Sequence, residues 1–388
     1  MWKLPDAIAQ RFPLVARPRP ACLPLRQRVQ ALTELAATAV KRGDPSVAST
    51  IYNRAALIAS DVGAAATARA MCHQHAGAYL HAAPLPGSAA IRALEPIVNL
   101  ARLQLRAGQA DEGRQCLLAL FDAVTNGHPV EVDGIAVPAD LVANPADRHE
   151  VRTWLWSVVL ADGTRALTAT GRWAEALVHV ETHRGVGQRM LDGRQVAVLA
   201  ALTSGNGLEA SSLLAHASPG EAWEQAVTDY LSVLCHRVSG RPWRRSLRDL
   251  VTAYVERPDR DDMAVFDTRL GLAVLDVVDS AKDPVAHLVV TELHRRTIKA
   301  TDGYVAREAL AHPLFTALAT DREKQECRVL LDACSLETGA LPIELGDQLT
   351  AALRTSDRII RHSVGRPSST SAACPGSPEI EEAARSPL

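Results

Sequence analysis

Five glycines, Gly43, Gly108, Gly171, Gly205 and Gly240, each follow a stretch of helical apolar periodicity, and they lie 65, 63, 34 and 35 residues apart. Two of these intervals are one period of about 34 residues and two are nearly double it, the spacing expected of stacked helix pairs that bury their apolar faces only against neighbours. The pattern constrains architecture before it constrains chemistry. It predicts an all-α chain in which 388 residues form one long body with a narrow core rather than two ordinary globules.

The first unit shows the local logic. Val29, Leu32, Leu35, Ala36, Ala39 and Val40 recur at helical spacing up to Gly43-Asp44-Pro45, where Gly ends one helix, Asp can cap the next and Pro suits its first turn. Val47, Ala48, Ile51, Tyr52, Ala55, Ile58 and Ala59 then form a second stripe. The stretch 89–125 repeats the arrangement around Gly108. A small residue stands five positions after four of the turn glycines, namely Ala48, Gly113, Ala176 and Ala210, which lets two helices approach closely. After Gly240 that position is held by Arg245 instead, and residues 64–88 hold an extra helix that disturbs the period. Farther on, Met263 to Val277 and Val285 to Leu293 form another pair of stripes, and Pro313 should divide the helix around it.

Two segments depart from helical periodicity. Val130-Glu131-Val132-Asp133-Gly134-Ile135-Ala136-Val137 alternates around Asp-Gly, the signature of a β-hairpin with a tight turn, and an isolated hairpin must lean on neighbours. The tail 363–388 has too few apolar residues to order itself and is expected to be mobile. The expected division is therefore an N-terminal extension over 1–24, a helical array over 25–337 with its clearest part at 25–255 and an insertion at 126–146, a C-terminal helix over 338–362, and the tail.

Charge and composition remove several function classes. A net charge of −2 lacks the basic excess that drives phosphate neutralisation, which argues against nucleic acid as the main partner. No apolar run is long enough for a bilayer span, and the Arg- and Pro-rich start has no signal-peptide core, so a cytoplasmic protein is expected. Seven cysteines without a Cys-x-x-Cys pair point to reduced thiols. His179 and His183 at i, i+4 and the Cys72, His73, His75 group raise a metal, but no third ligand follows the first pair and residues two apart on a helix diverge. Asp259, Asp261, Asp262 and Asp267 lack the Asp-Asp-x-x-Asp spacing of a magnesium-diphosphate site, and acids before a helix favour its positive end. Phosphate loops and nucleophile elbows are absent, so no catalytic residue, metal or cofactor is nominated.

Gly171-Arg172-Trp173-Ala174-Glu175-Ala176-Leu177 resembles the turn of the tetratricopeptide repeat family, in which an aromatic follows the turn glycine by two and an alanine by five. The resemblance covers about residues 25–255 in degenerate form and implies a right-handed α-α superhelix, with positions 2, 3, 6, 10 and 13 before each turn glycine facing a concave groove. Those positions give Lys41, Thr33 and Gln30; Arg106, Arg102 and Glu95; Arg165 and Thr168; Gln195; and Arg237 and Tyr230. On this reading the groove is mostly basic. Lys41, Arg102, Arg106, Arg165 and Arg237, with Tyr230, would bind a peptide, acidic segment or partner protein in a non-catalytic adaptor or regulator. Two alternatives stay open: an enzyme or small-molecule binder with a pocket at 126–156 near Trp154, Trp156, His128 and His149, and a nucleic-acid-associated regulator acting through Arg241, Arg244, Arg245 and Arg248 beside Trp243. Oligomeric state is not legible.

Overall fold

The computed structural model describes residues 4–17, 19–278 and 280–365, with the side chain of residue 261 undescribed. Among the described residues the protein is mostly α-helical, with one two-stranded antiparallel hairpin. Among the described residues no helix is long and apolar enough to cross a membrane. The tail expected over 363–388 lies outside the described residues from 366 onward, and its first residues complete the last helix, Ile343–Val364.

All five turn glycines take the left-handed conformation, with φ between 61° and 82°. At four of them, the residue after the glycine donates its N–H to the carbonyl five positions back: Gln109 to Gln104, Arg172 to Leu167, Asn206 to Ala201 and Arg241 to His236. This bond satisfies a carbonyl that the ending helix leaves open, and only a residue tolerant of positive φ can form it. Gly63 and Gly127 close their helices in the same way, at Ala64 to Ala59 and His128 to Ala123. The next helix begins two residues after Gly43, Gly108, Gly171 and Gly205, but four residues after Gly240, at Arg244. That delay explains Arg245. It lies exposed at the start of the helix, and Leu247 two residues on takes the buried position.

The chain divides into two compact units. One joins the residues up to Cys22 with Gly163–Cys334, and the other joins Leu23–Asp162 with the residues from Ser335 on. The boundary at Asp162 and Gly163 therefore cuts the 25–337 stretch that periodicity treats as one array, and the 1–24 extension belongs with the later helices up to Cys22.

In the unit beginning at Leu23, Leu25–Arg42, Pro45–Asp61, Ala65–Leu80, Gly87–Arg106, Ala110–Asn126 and Pro145–Val158 each pack on their neighbours in sequence. Ile343–Val364 returns to lie on Leu25–Arg42 and Pro45–Asp61. One apolar core runs through all of these helices and includes Leu345, Leu349, Leu353 and Ile360 of the last one. The hairpin pairs Val130 with Val137 and Val132 with Ile135, and Asp133 and Gly134 at its tip both have positive φ. It leans on Ala65–Leu80, where Arg69 and His73 pair with the Asp133 carboxylate.

In the other unit, Thr164–Thr168, Trp173–Thr182, Asp192–Thr203, Gly207–Ala215, Ala222–Val238 and Arg244–Glu256 again pack in order. Ala264–Asp276, Pro284–Ala300, Gly303–Ala311, Pro313–Leu318 and Asp321–Cys334 complete it. Helix 303–318 is divided at His312, whose ring caps Pro313–Leu318 by accepting from the Leu314 and Phe315 N–H groups.

Candidate functional site

The groove positions form different environments in the two units. In the Leu23 unit, Gly87–Arg106 turns Glu95, Asn99, Arg102 and Arg106 toward Pro45–Asp61 and Asp162. Asn53 donates to Glu95 at 2.8 Å, Asn99 donates to Asn53 at 3.1 Å, and Arg102 donates to Asn99 at 3.1 Å and to Asp162 at 2.9 Å. Arg106 donates to Ser60 at 2.7 Å and lies 3.6 Å from Asp61, which also pairs with the buried Arg28 at 2.5 Å. The carboxylates of Asp162 and Asp61 are buried, so these are tightly held pairs and not loose surface contacts. A five-residue π-helical turn, Val159–Gly163, contains Asp162. Lys41, Thr33 and Gln30 stay exposed. Burial raises the Glu95 carboxyl to about 7.

The six residues expected to bind a partner differ in exposure and in what they contact. Lys41 and Arg165 are exposed, whereas Arg102 and Arg106 are engaged with Asp162 and Asp61. Arg237 donates to the Val277 carbonyl at 2.6 Å and stacks 4.6 Å above Trp243. Tyr230 is fully buried and donates to the Ala273 carbonyl at 2.8 Å, so it is a core residue and not an open groove contact.

The Tyr230 ring nevertheless faces an extended segment, because Phe12 packs against it at 5.5 Å. Gln195, also ten positions before a turn glycine, meets the same segment. Its Oε1 accepts from the Leu14 N–H at 2.7 Å, and its Nε2 donates to the Leu14 carbonyl at 2.8 Å and to the Met190 carbonyl at 3.0 Å. Both main-chain groups of one residue can be held by one side amide only when that residue is extended, with its N–H and C=O pointing the same way, as in a paired strand. Phe12 and Leu14, two apart, are both buried.

Charge complements this contact. Arg11 pairs with Asp276, and Arg17 pairs with Asp192 at 2.7 Å. His312 accepts backbone N–H groups at Nδ1, so its Nε2 carries the proton and donates to Asp276 at 3.0 Å. Arg19 lies 3.7 Å over the Tyr304 ring, within the field of Asp302 and Glu308. The Cys22 carbonyl accepts from the Gly303 N–H at 2.8 Å and from the Cys334 thiol at 2.9 Å. Sequence reasoning identified Gln195 and Tyr230 but not this basic segment as their neighbour. The signal was the closely spaced prolines of Arg11 to Leu25, which disfavour helix and favour an extended chain.

The remaining candidates do not converge. Asp259 accepts from Arg295 and Lys299, Asp262 from Arg260, and Asp267 from Arg296, with Arg257 in an ion pair to Asp267 at 3.1 Å. These ion pairs border a cavity of about 20 Å³, roughly the room for a single water. Burial raises the Asp267 carboxyl to about 6 against its cationic neighbours. His179 is buried, with Gly163 so near that an added Cβ would meet its ring at 2.6 Å. His73 turns to the hairpin, while His75 is buried and stacked on Tyr52 at 4.8 Å. Among the described residues no group of three or more His, Cys, Asp and Glu side chains is placed to hold a metal ion. At 126–156, His128 pairs with Asp122, Trp154 packs on the core, and Trp156 and His149 point outward. Arg241, Arg245 and Arg248 are exposed beside the Trp243 turn.

Comparison with protein-family models, with curated proteins and with solved structures finds no match for this chain.

Proposed function

We propose that this protein is a non-catalytic helical-repeat binding protein, an adaptor or regulator of the tetratricopeptide-like kind, whose stacked hairpins continue as a right-handed superhelix and which works in the cytoplasm. One observation carries the reading. Gln195 and Tyr230, at corresponding positions of successive first helices, hold an extended peptide segment through its main chain and an aromatic side chain. Main-chain capture supplies affinity with little sequence demand, and side-chain pockets add selectivity. An acidic partner is the version read from the groove charges. Within the Leu23 unit Lys41 is its anchor, since Arg102 and Arg106 would first have to leave buried carboxylates.

An array of extended peptides in acidic, neutral and basic series, probed with the full-length protein at low salt, tests both levels. Retention of any series with micromolar affinity supports a peptide-binding role, and retention of none rejects it. Loss of acidic peptides in a folded Lys41→Glu variant supports the charge reading. Unchanged retention of them removes it.

A further inference from the structure

We propose that residues 10–17 and 19–22, which follow the short helix Asp6–Ala9, form a built-in, displaceable ligand, and that the surface beneath them recognises an extended basic peptide carrying apolar anchors two residues apart. The proposal rests on the peptide-binding reading above and names its ligand class and its control.

Three independent features point the same way. The main-chain contacts at Leu14 and Cys22 are made with Gln195, Gly303 and Cys334, and none requires a particular side chain in the segment. The side-chain contacts are of two kinds: buried apolar anchors at Phe12 and Leu14, and arginines at positions 11, 17 and 19 that meet Asp276, Asp192 and the Tyr304 face. The segment and the helices that receive it are separated along the chain by the whole of Leu23–Asp162, so its docking is a long-range closure and not a continuation of local helix packing. A tethered ligand of this kind lowers the apparent affinity for any competing peptide by the fraction of time it stays bound. The surface that meets the segment's arginines is acidic through Asp192, Asp276 and Asp302, whereas Glu308 is already held by Arg269, so the competitor is basic, opposite in sign to the partner that the groove arginines suggest.

The test uses the full-length chain and a labelled synthetic peptide of residues 4–22. A Phe12→Ala/Leu14→Ala variant loosens the tethered copy without touching the receiving helices. The labelled peptide is expected to bind this variant at least about tenfold more tightly than it binds the wild type. Adding Gln195→Ala to the variant, or replacing the three peptide arginines by glutamate, should abolish binding. No binding to a folded loosened variant overturns the proposal and makes the segment a fixed part of the core. Equal binding of the arginine and glutamate peptides overturns the charge assignment. Should the variant fail to fold, hydrogen exchange of the wild type decides: amides of residues 4–17 are expected to exchange faster than those of Ala222–Val238, and exchange of both only through global unfolding rejects displacement. Failure here with acidic peptides still retained on the array leaves the adaptor reading standing.

Discussion

Two titrating side chains in the Leu23 unit, the buried His75 and the part-buried Glu95, pull stability in opposite directions with pH. His75 is 1% exposed, stacked on Tyr52, and burial with the nearby Arg92 cation lowers it to about 3. The unfolded chain takes up this proton below about pH 6.5 and the folded chain does not, so stability is full above that pH and is lost as pH falls from there toward 3. Glu95 is the converse. Its folded carboxyl titrates near 7, so its contribution is present below about pH 4.5 and is lost as pH rises through 7. Glu95→Gln keeps an acceptor for Asn53 and is expected to raise the melting temperature at pH 8 but not at pH 4, by a stabilisation of about 1–3 kcal/mol. His75→Phe should gain about 2 kcal/mol at pH 5 relative to its effect at pH 8. Melting curves of both variants across pH 4–8 check this, and parallel shifts at every pH would show that neither group titrates as described.

At the scale of the helix pair, the small residue five places after the turn glycine determines how closely the helices cross. Ala48, Ala176 and Ala210 are each 0% exposed. At Gly113 the approach is closer still, because an added Cβ would meet the Ala101 carbonyl oxygen at 2.7 Å and Leu105 at 2.9 Å. Alanine gains about 1 kcal/mol of helix propensity over glycine, but here a backbone oxygen and not a flexible side-chain tip must move. Gly113→Ala is therefore expected to destabilise by about 1–3 kcal/mol. Gly77, exposed within Ala65–Leu80 with nothing within 4 Å of an added Cβ, is the control, and Gly77→Ala should stabilise by about 0.5–1 kcal/mol. Chemical denaturation of the two variants separates packing from propensity, and equal effects would show that the crossing distance is not set at Gly113.

These element-level features were legible because they are local. The left-handed turns, the extra helix after Gly63, the Asp133-Gly134 hairpin tip and the break at Pro313 each follow from a few adjacent residues. Side-chain partners distant in sequence were not legible. Nothing in the periodicity around Arg102 or Arg106 indicates that Asp162 and Asp61 neutralise them, and nothing around Tyr230 indicates that Phe12 covers it. Gln195 and Tyr230, at corresponding positions before their turn glycines, both meet the segment of Phe12 and Leu14.

On the scale of the whole molecule, each end of the chain belongs to the unit that its sequence neighbours do not form. The first segment joins helices that begin at Gly163, and Ile343–Val364 joins helices that begin at Leu25. The Ser335–Pro342 connection fixes the second of these closures, since Glu337 donates to the Asp61 carbonyl at 2.8 Å and Gly339 to the Val62 carbonyl at 2.6 Å, against the Gly63 turn. Leu349 and Leu353 then fill the core that Leu25–Arg42 and Pro45–Asp61 cannot close alone. Contacts of this sequence separation cost loop entropy before they stabilise anything, so the helices made earliest remain incompletely packed until the last one docks. A Leu349→Asp/Leu353→Asp variant of the full chain buries two unpaired charges at that contact. Hydrogen exchange should then show loss of protection concentrated in 25–42 and 45–61, with Ala222–Val238 of the other unit retaining its own. Loss of protection spread evenly over both units, or none at all, would show that the last helix does not complete the core of the first pair.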